Sequence, residues 1–196
     1  MKSKLIIFFL LIPGLIWGEV RSIRLLTMDA SGSLVGTYHA LLIGNNNYQY
    51  WPQLKTAVYD VEKMAEILKK RYIFEPENIK ILLNATRKDI IRGFNELREI
   101  SKPEDNVLIY YGGHGQYDKY GLGFWVPVDG AVDDDSDFLS NSVILERLNT
   151  IPAMHKLLIS DSCFSGNLMT RGLKQPPPKT SSLDDSFMDR FFFKKS

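Results

Sequence analysis

The sequence predicts an α/β domain in which a mostly parallel central sheet lies between helices on both faces. Two observations carry this. Short apolar runs of strand length alternate with longer segments whose apolar residues recur at helical spacing. Several runs also end in small or polar residues, as buried parallel strands do where their loops emerge. At 196 residues, with 44% hydrophobic and 24% charged side chains, the chain suits one domain with a sizeable core.

The elements follow in order. Tyr38-His-Ala-Leu-Leu-Ile-Gly44 reads as a buried strand stopped by Asn45-Asn-Asn47. Leu54, Ala57, Val58, Val61, Ala65 and Leu68 mark an amphipathic helix that reaches Tyr72. Ile79-Lys-Ile-Leu-Leu83 is a second strand. Thr86-Arg-Lys-Asp89 reads as a capped helix start, with Ile90, Phe94 and Leu97 on the apolar face. Asn106-Val-Leu-Ile-Tyr-Tyr111 is the third strand. Residues 121–128, with Trp125 and Pro127, read as a small hairpin or an extended loop, and Asp133-Asp-Asp135 as a solvated loop. Residues 141–149 are expected to be helical, and His155-Lys-Leu-Leu-Ile-Ser160 is the fourth strand. No internal repeat is visible.

The two ends differ in character. Met1-Lys-Ser-Lys4 is basic, and residues 5–17 are apolar, interrupted by Pro13 and Gly14. This is the pattern of a secretory signal, short for a membrane span. The expectation is a signal peptide over 1–18, a catalytic domain over 19–172, and export to the periplasm or the exterior. The alternative is an uncleaved membrane anchor, because Ile16-Trp17-Gly18 makes a poor small-x-small cleavage site. Lys174-Gln-Pro-Pro-Pro-Lys-Thr-Ser-Ser182 cannot continue a helix or a sheet. Residues 173–196 therefore read as a flexible Pro-rich linker and a truncated C-terminus. The net charge of +1 gives no electrostatic case for nucleic acid.

The chemistry gathers at two strand ends. The single cysteine, Cys163, follows one apolar run in Asp161-Ser-Cys-Phe-Ser-Gly166. His114 follows another in Gly112-Gly-His-Gly115. In a parallel sheet both emerge at the carboxyl edge, where open α/β folds place their sites. One cysteine makes no internal disulfide, and a free thiol in an exported protein is a liability unless buried or used. The small residues around Cys163 look like a turn rather than a core. An imidazole that takes the thiol proton yields the thiolate, the reactive species, and attack on a peptide carbonyl gives an acyl-enzyme. The backbone N–H groups of Gly115 and Cys163 are candidates for the oxyanion hole. Other chemistries fit worse. Arg171 lies eight residues after Cys163, whereas a phosphatase loop needs six. There is no Cys-x-x-Cys pair and no phosphate loop. His39 and His155 open apolar runs and read as structural, so no zinc site is expected.

Tyr111-Gly-Gly-His-Gly115 and Asp161-Ser-Cys-Phe-Ser-Gly166 resemble the His and Cys boxes of caspase-like cysteine peptidases, closer to metacaspases and their bacterial relatives than to animal caspases. Ala40-Leu-Leu-Ile-Gly44, Leu54-Lys-Thr-Ala-Val-Tyr-Asp60 and Trp125-Val-Pro-Val-Asp129 carry the same likeness. His114 precedes Cys163 by 49 residues, against the roughly 50 of the caspase signature. The resemblance implies a caspase-like three-layer sandwich and a cysteine endopeptidase acting on peptide or protein substrates. It also implies that Asp60 and Asp161 line a pocket for arginine or lysine at P1, and a carboxylate pair suits such a cation.

Two departures qualify the likeness. Many metacaspases hold calcium partly through an acidic pair after the His box, whereas Leu139-Ser-Asn-Ser-Val-Ile144 has no carboxylate. Asp129 matches one ligand, but a hard cation needs several oxygens, so no cofactor is expected; Asp133-Asp-Asp135 keeps calcium as the alternative. Caspase-like folds also continue past the linker with two more strands, the small-subunit part, and the expectation is that this sequence stops before it. Arg171, Lys174 and Lys179 are candidate processing points in that linker. The competing reading is a non-catalytic caspase-like interaction module, or an inactive fragment of such a peptidase.

Overall fold

The computed structural model describes residues 36–162. The expected leader, Cys163 and the Pro-rich segment lie outside them. In chain order the elements are β1 (Tyr38–Gly44), α1 (Ala57–Arg71), a 3-10 turn (Pro76–Asn78), β2 (Ile79–Leu83), α2 (Arg87–Ile100), β3 (Asn106–Gly112), β4 (Gly115–Tyr117), β5 (Gly123–Trp125), β6 (Leu139–Ser140), α3 (Asn141–Thr150) and β7 (His155–Asp161). Four parallel strands form the central sheet in the order β2-β1-β3-β7. A small antiparallel sheet, β4-β5-β6, sits beside it. Of residues 121–128, Gly123–Trp125 form the second strand of a hairpin that begins with β4, and 126–128 continue as a loop. The Asp118 carboxylate closes the hairpin turn by accepting the Tyr120 and Leu122 N–H groups, each at 2.8 Å.

Strand parity sorts the core into two layers. Ala40 and Leu42 of β1, with Leu108 and Tyr110 of β3, pack on Val61, Met64, Ala65 and Leu68 of α1. Leu41 and Ile43, with Val107, Ile109 and Tyr111, pack on Ile90, Phe94 and Leu97 of α2 and Ile144 of α3. Both faces of β1 and β3 are covered, which is why those runs are apolar throughout rather than alternating. A fully buried Leu or Ile contributes roughly 2 kcal/mol. An exposed pair such as Lys63–Glu66 is screened by solvent and adds little, so the two apolar layers dominate. Gly93 lets α2 close on β1, since a Cβ there would lie 3.0 Å from the Leu41 side chain.

The helix α1 starts at Ala57, so Leu54 precedes it and packs with Trp51 beside Val126 and Val128. The Thr86 cap is present as a full capping box. The Thr86 hydroxyl accepts the Asp89 N–H (3.2 Å), and the Asp89 carboxylate accepts the Thr86 N–H (3.1 Å). His39 is buried against Asp105 (3.2 Å), and His155 pairs with Asn106 (3.2 Å), both at the amino edge of the sheet. Asp133, Asp134 and Asp135 form an exposed loop.

Thr86→Ala should cost about 1 kcal/mol of stability, read as a lower urea midpoint at neutral pH. The hydroxyl of Thr86 is the main cause holding the Asp89 carboxyl below its ordinary value. That stabilisation is present above the unfolded pKa and is lost as pH falls through the depressed folded one. Wild type and variant should therefore converge in acid, and a gap that widens there would contradict the role.

Candidate active site

The site grows from the register of the parallel strands. Gly44 of β1 pairs with Gly112 of β3, and Gly112 pairs with Asp161 of β7. The three strands end level. One residue further, the Asn45 N–H donates to the Gly112 carbonyl (2.9 Å) and the Gly113 N–H to the Asp161 carbonyl (3.3 Å). His114 lies two residues past this aligned row, at its carboxyl edge.

His114 is clamped through its backbone and its ring. Its N–H donates to the Tyr48 hydroxyl (2.7 Å), while its carbonyl accepts from the Tyr111 hydroxyl (2.8 Å) and the Val126 N–H (3.0 Å). The imidazole Nε2 lies 2.8 Å from the Pro52 carbonyl. A carbonyl only accepts, so Nε2 carries the proton and Nδ1 is the basic nitrogen. The rings of Tyr48 and Trp51 flank the imidazole at 4.6 and 5.6 Å between centroids. Gly113 is required here, because a Cβ would come within 2.6 Å of the Tyr111 hydroxyl and 2.7 Å of the Tyr48 hydroxyl. Burial pushes both tyrosine hydroxyls above their ordinary pKa, so both stay protonated at neutral pH. Tyr111 is further fixed by stacking on Trp125 (4.2 Å, 8°).

The loop that supplies Tyr48, Trp51 and Pro52 is held by the asparagines that the sequence shows only as a strand stop. The buried Asn45 side chain brackets Ala85, accepting its N–H (2.8 Å) and donating to its carbonyl (3.4 Å). Asn84, in the left-handed region at φ 52°, accepts the N–H groups of Asn46 and Asn47. Asn46 in turn accepts the Val58 N–H at the start of α1, where the Thr56 side chain makes no cap. The signal was the triplet itself, since Asn at the end of a buried strand satisfies backbone groups that the sheet leaves open.

Gly115 opens β4 opposite Trp125. The Val126 N–H goes to the His114 carbonyl, which makes Gly115–Trp125 the non-hydrogen-bonded kind of antiparallel pair. The Gly115 N–H therefore faces away from β5. Ser162 lies against Gly115, its hydroxyl 2.9 Å from where a Cβ would be. That hydroxyl is 3.2 Å from Ser160, which accepts the Trp125 indole N–H (2.9 Å). Ser162 is the residue before Cys163, which lies outside the described residues.

Asp60 is half-buried in the first turn of α1, and Asp161 is exposed at the end of β7. Asp161 reaches Tyr110, which composition marks only as strand core. Its hydroxyl donates to the Asp161 carboxylate (3.1 Å). Its pKa is raised first by burial, then by the Asp161 charge and hydrogen bond, and also by the Asp60 charge. Both carboxylates therefore act on one hydroxyl. Asp129 accepts the Arg87 N–H at the start of α2 (3.2 Å), and Ser140 caps α3 through the Val143 N–H (3.3 Å). Among the described residues, no three His, Cys, Asp or Glu gather to hold a metal ion, and no helix is long and apolar enough to cross a membrane.

Comparison with known proteins agrees with this architecture. Residues 37–191 match the family model described as the caspase domain, a span that runs past the Pro-rich segment. Metacaspase-6 of Arabidopsis thaliana is 29% identical over 166 residues, covering 75% of this chain and 43% of that protein. Metacaspase-4 of the same plant is 30% identical over 159 residues, covering 71% and 36%. Metacaspase-1A of Aspergillus oryzae is 27% identical over 171 residues, covering 72% and 39%. The chain thus spans about two-fifths of the length of these curated relatives. The crystal structure of protein GSU0716 from Geobacter sulfurreducens shares the fold, with a TM-score of 0.54 at 23% identity over 65% of this chain and 50% of that one.

Gly113→Ala should lower stability by roughly 2 kcal/mol, because its methyl overlaps two buried hydroxyl oxygens. Calorimetry reads this directly. An unchanged thermal midpoint would show that the loop yields freely and that His114 is not clamped as described.

Proposed function

This chain belongs to the caspase-domain family of cysteine peptidases, and we propose that it is an endopeptidase whose His114 and Cys163 form a dyad cleaving after arginine or lysine. The observation that carries the reading is the pairing of Gly112 with Asp161. His114 and Cys163 each follow that pair by two residues in the sequence. Strands that end level favour loops that start level.

The chemistry follows from the tautomer. Nδ1 of His114 takes the Cys163 proton, and the thiolate attacks the scissile carbonyl. The N–H groups of Gly115 and Cys163 hold the tetrahedral oxyanion. Gly115 suits this role because its N–H is turned away from β5. The imidazolium then protonates the leaving amine, and water releases the acyl group from the sulfur. Pro52 accepts from Nε2–H throughout, which keeps Nδ1 as the proton carrier. Asp60 and Asp161 receive the P1 cation, and these steps call on no cofactor. The substrates are peptides or proteins. Export through the apolar segment 5–17, with a domain boundary near residue 18, belongs to the same proposal.

One observation favours the non-catalytic reading. Among the described residues β7 is an edge strand, its side chains from Lys156 to Ser160 only half-buried, so its free edge offers backbone groups to another strand. Activity separates the two. The full chain is assayed on peptides with Arg, Lys or Asp at P1, as wild type, Cys163→Ala and His114→Ala. Cleavage after Arg and Lys is expected, falling at least about 1,000-fold in either variant. No Cys163-dependent turnover on any peptide would overturn the protease reading, and preference for Asp would overturn the Asp60–Asp161 pocket alone.

A further inference from the structure

We propose that Tyr110 is a positioning residue that fixes the Asp161 carboxylate and so makes the pocket prefer a guanidinium to an ammonium. The inference rests on the Asp60–Asp161 reading and adds a residue to it.

Tyr110 rises from β3 on the α1 face, and its own side chain is 3% exposed. Its ring is held in place by the chain around it. A Cβ on Gly112 would meet that ring at 3.3 Å and the hydroxyl at 3.4 Å, and would lie 3.5 Å from Ala57. The hydroxyl is therefore seated between the end of the sheet and the start of α1. From there it donates to one oxygen of Asp161, Oδ2, at 3.1 Å. The Asp60 charge reaches the same hydroxyl from α1. Asp161 itself is exposed, at a strand end where little else among the described contacts fixes its rotamer.

One oxygen of Asp161 is thus engaged and its other oxygen is directed. An ammonium is a compact charge with three freely rotating donors, so it tolerates a carboxylate that swings. A guanidinium is a planar fork with fixed donor directions, so it rewards carboxylates held at a set angle. Freeing Asp161 should therefore cost an arginine substrate more than a lysine substrate. Tyr110 does not need to touch the substrate for this, since it acts through Asp161.

The test uses Tyr110→Phe in the full chain, with Asp161→Asn as the charge control. For peptide cleavage, the variant should raise KM about tenfold for P1 Arg and about twofold for P1 Lys, with kcat little changed. A residue that merely supports the fold would lower kcat for both substrates alike, and that result would overturn the inference. So would an unchanged Arg-to-Lys ratio. A second measurement needs no turnover. Isothermal titration of the Cys163→Ala chain with n-butylguanidine and n-butylamine should show tighter binding of the guanidine, with that margin lost on adding Tyr110→Phe. Equal binding of the two, or none, in the Tyr110-containing chain would overturn it. Binding with the expected margin but no cleavage of any peptide would leave Tyr110 in its role and overturn the protease reading instead.

Discussion

The rest of the site depends on the in-register parallel pairing of β1, β3 and β7. Parallel strands have a period of two and fixed neighbours, so a slip of one residue would turn every side chain to the other face. Here a slip would exchange Leu41 for Leu42 and Tyr110 for Tyr111, moving each from one buried layer to the other. The two tyrosines show why that matters. Tyr111 faces α2 and reaches the His114 carbonyl, while Tyr110 faces α1 and reaches Asp161. Two adjacent hydroxyls serve two halves of the site because they leave the strand on opposite sides. The register is thus set by core burial, and the chemistry at the edge inherits it.

Around that edge the polar groups are committed rather than open. Asn45, Asn46 and Asn84 absorb the backbone groups freed where β1 and β2 end, and the loop they hold delivers Tyr48, Trp51 and Pro52 to the imidazole. On the far side, Trp125 reaches Ser160, and Ser162 rests on Gly115. Tyr111 joins the two sides by stacking on Trp125 while it bonds to the His114 carbonyl. This is a preorganised arrangement, in which the orientation of His114 is fixed before any substrate arrives.

Much of this was legible in the sequence, and the reason is local. The two inner strands, β1 and β3, are buried on both faces, and their continuous apolar runs report that directly, while β2 and β7 at the edges are shorter or half-buried but keep enough apolar residues to read as strands. The Thr86–Asp89 box fixes the start of α2 by itself. The His and Cys boxes stand out because glycine and serine crowd residues that carry chemistry. What escaped was set by tertiary contact. The start of α1 moved past Leu54 because Asn46, twelve residues before Val58, supplies the cap. The β4-β5-β6 sheet has strands of two or three residues, too short for periodicity to register. Tyr110 looks like any aromatic in a strand until the fold brings Asp161 to its hydroxyl. Pro52 carries no chemistry in its side chain, and its role as acceptor lies wholly in its backbone.

The central claim is that His114 and Cys163 meet. Because Cys163 is the only cysteine, alkylation of the chain by iodoacetamide reports on that thiol alone. The rate follows the thiolate, so its pH profile gives the thiol pKa with no substrate needed. A neighbouring imidazolium should bring the pKa well below the unperturbed value of about 8.5, and His114→Ala should return it towards that value. Identical profiles in wild type and His114→Ala would show that the two residues do not meet.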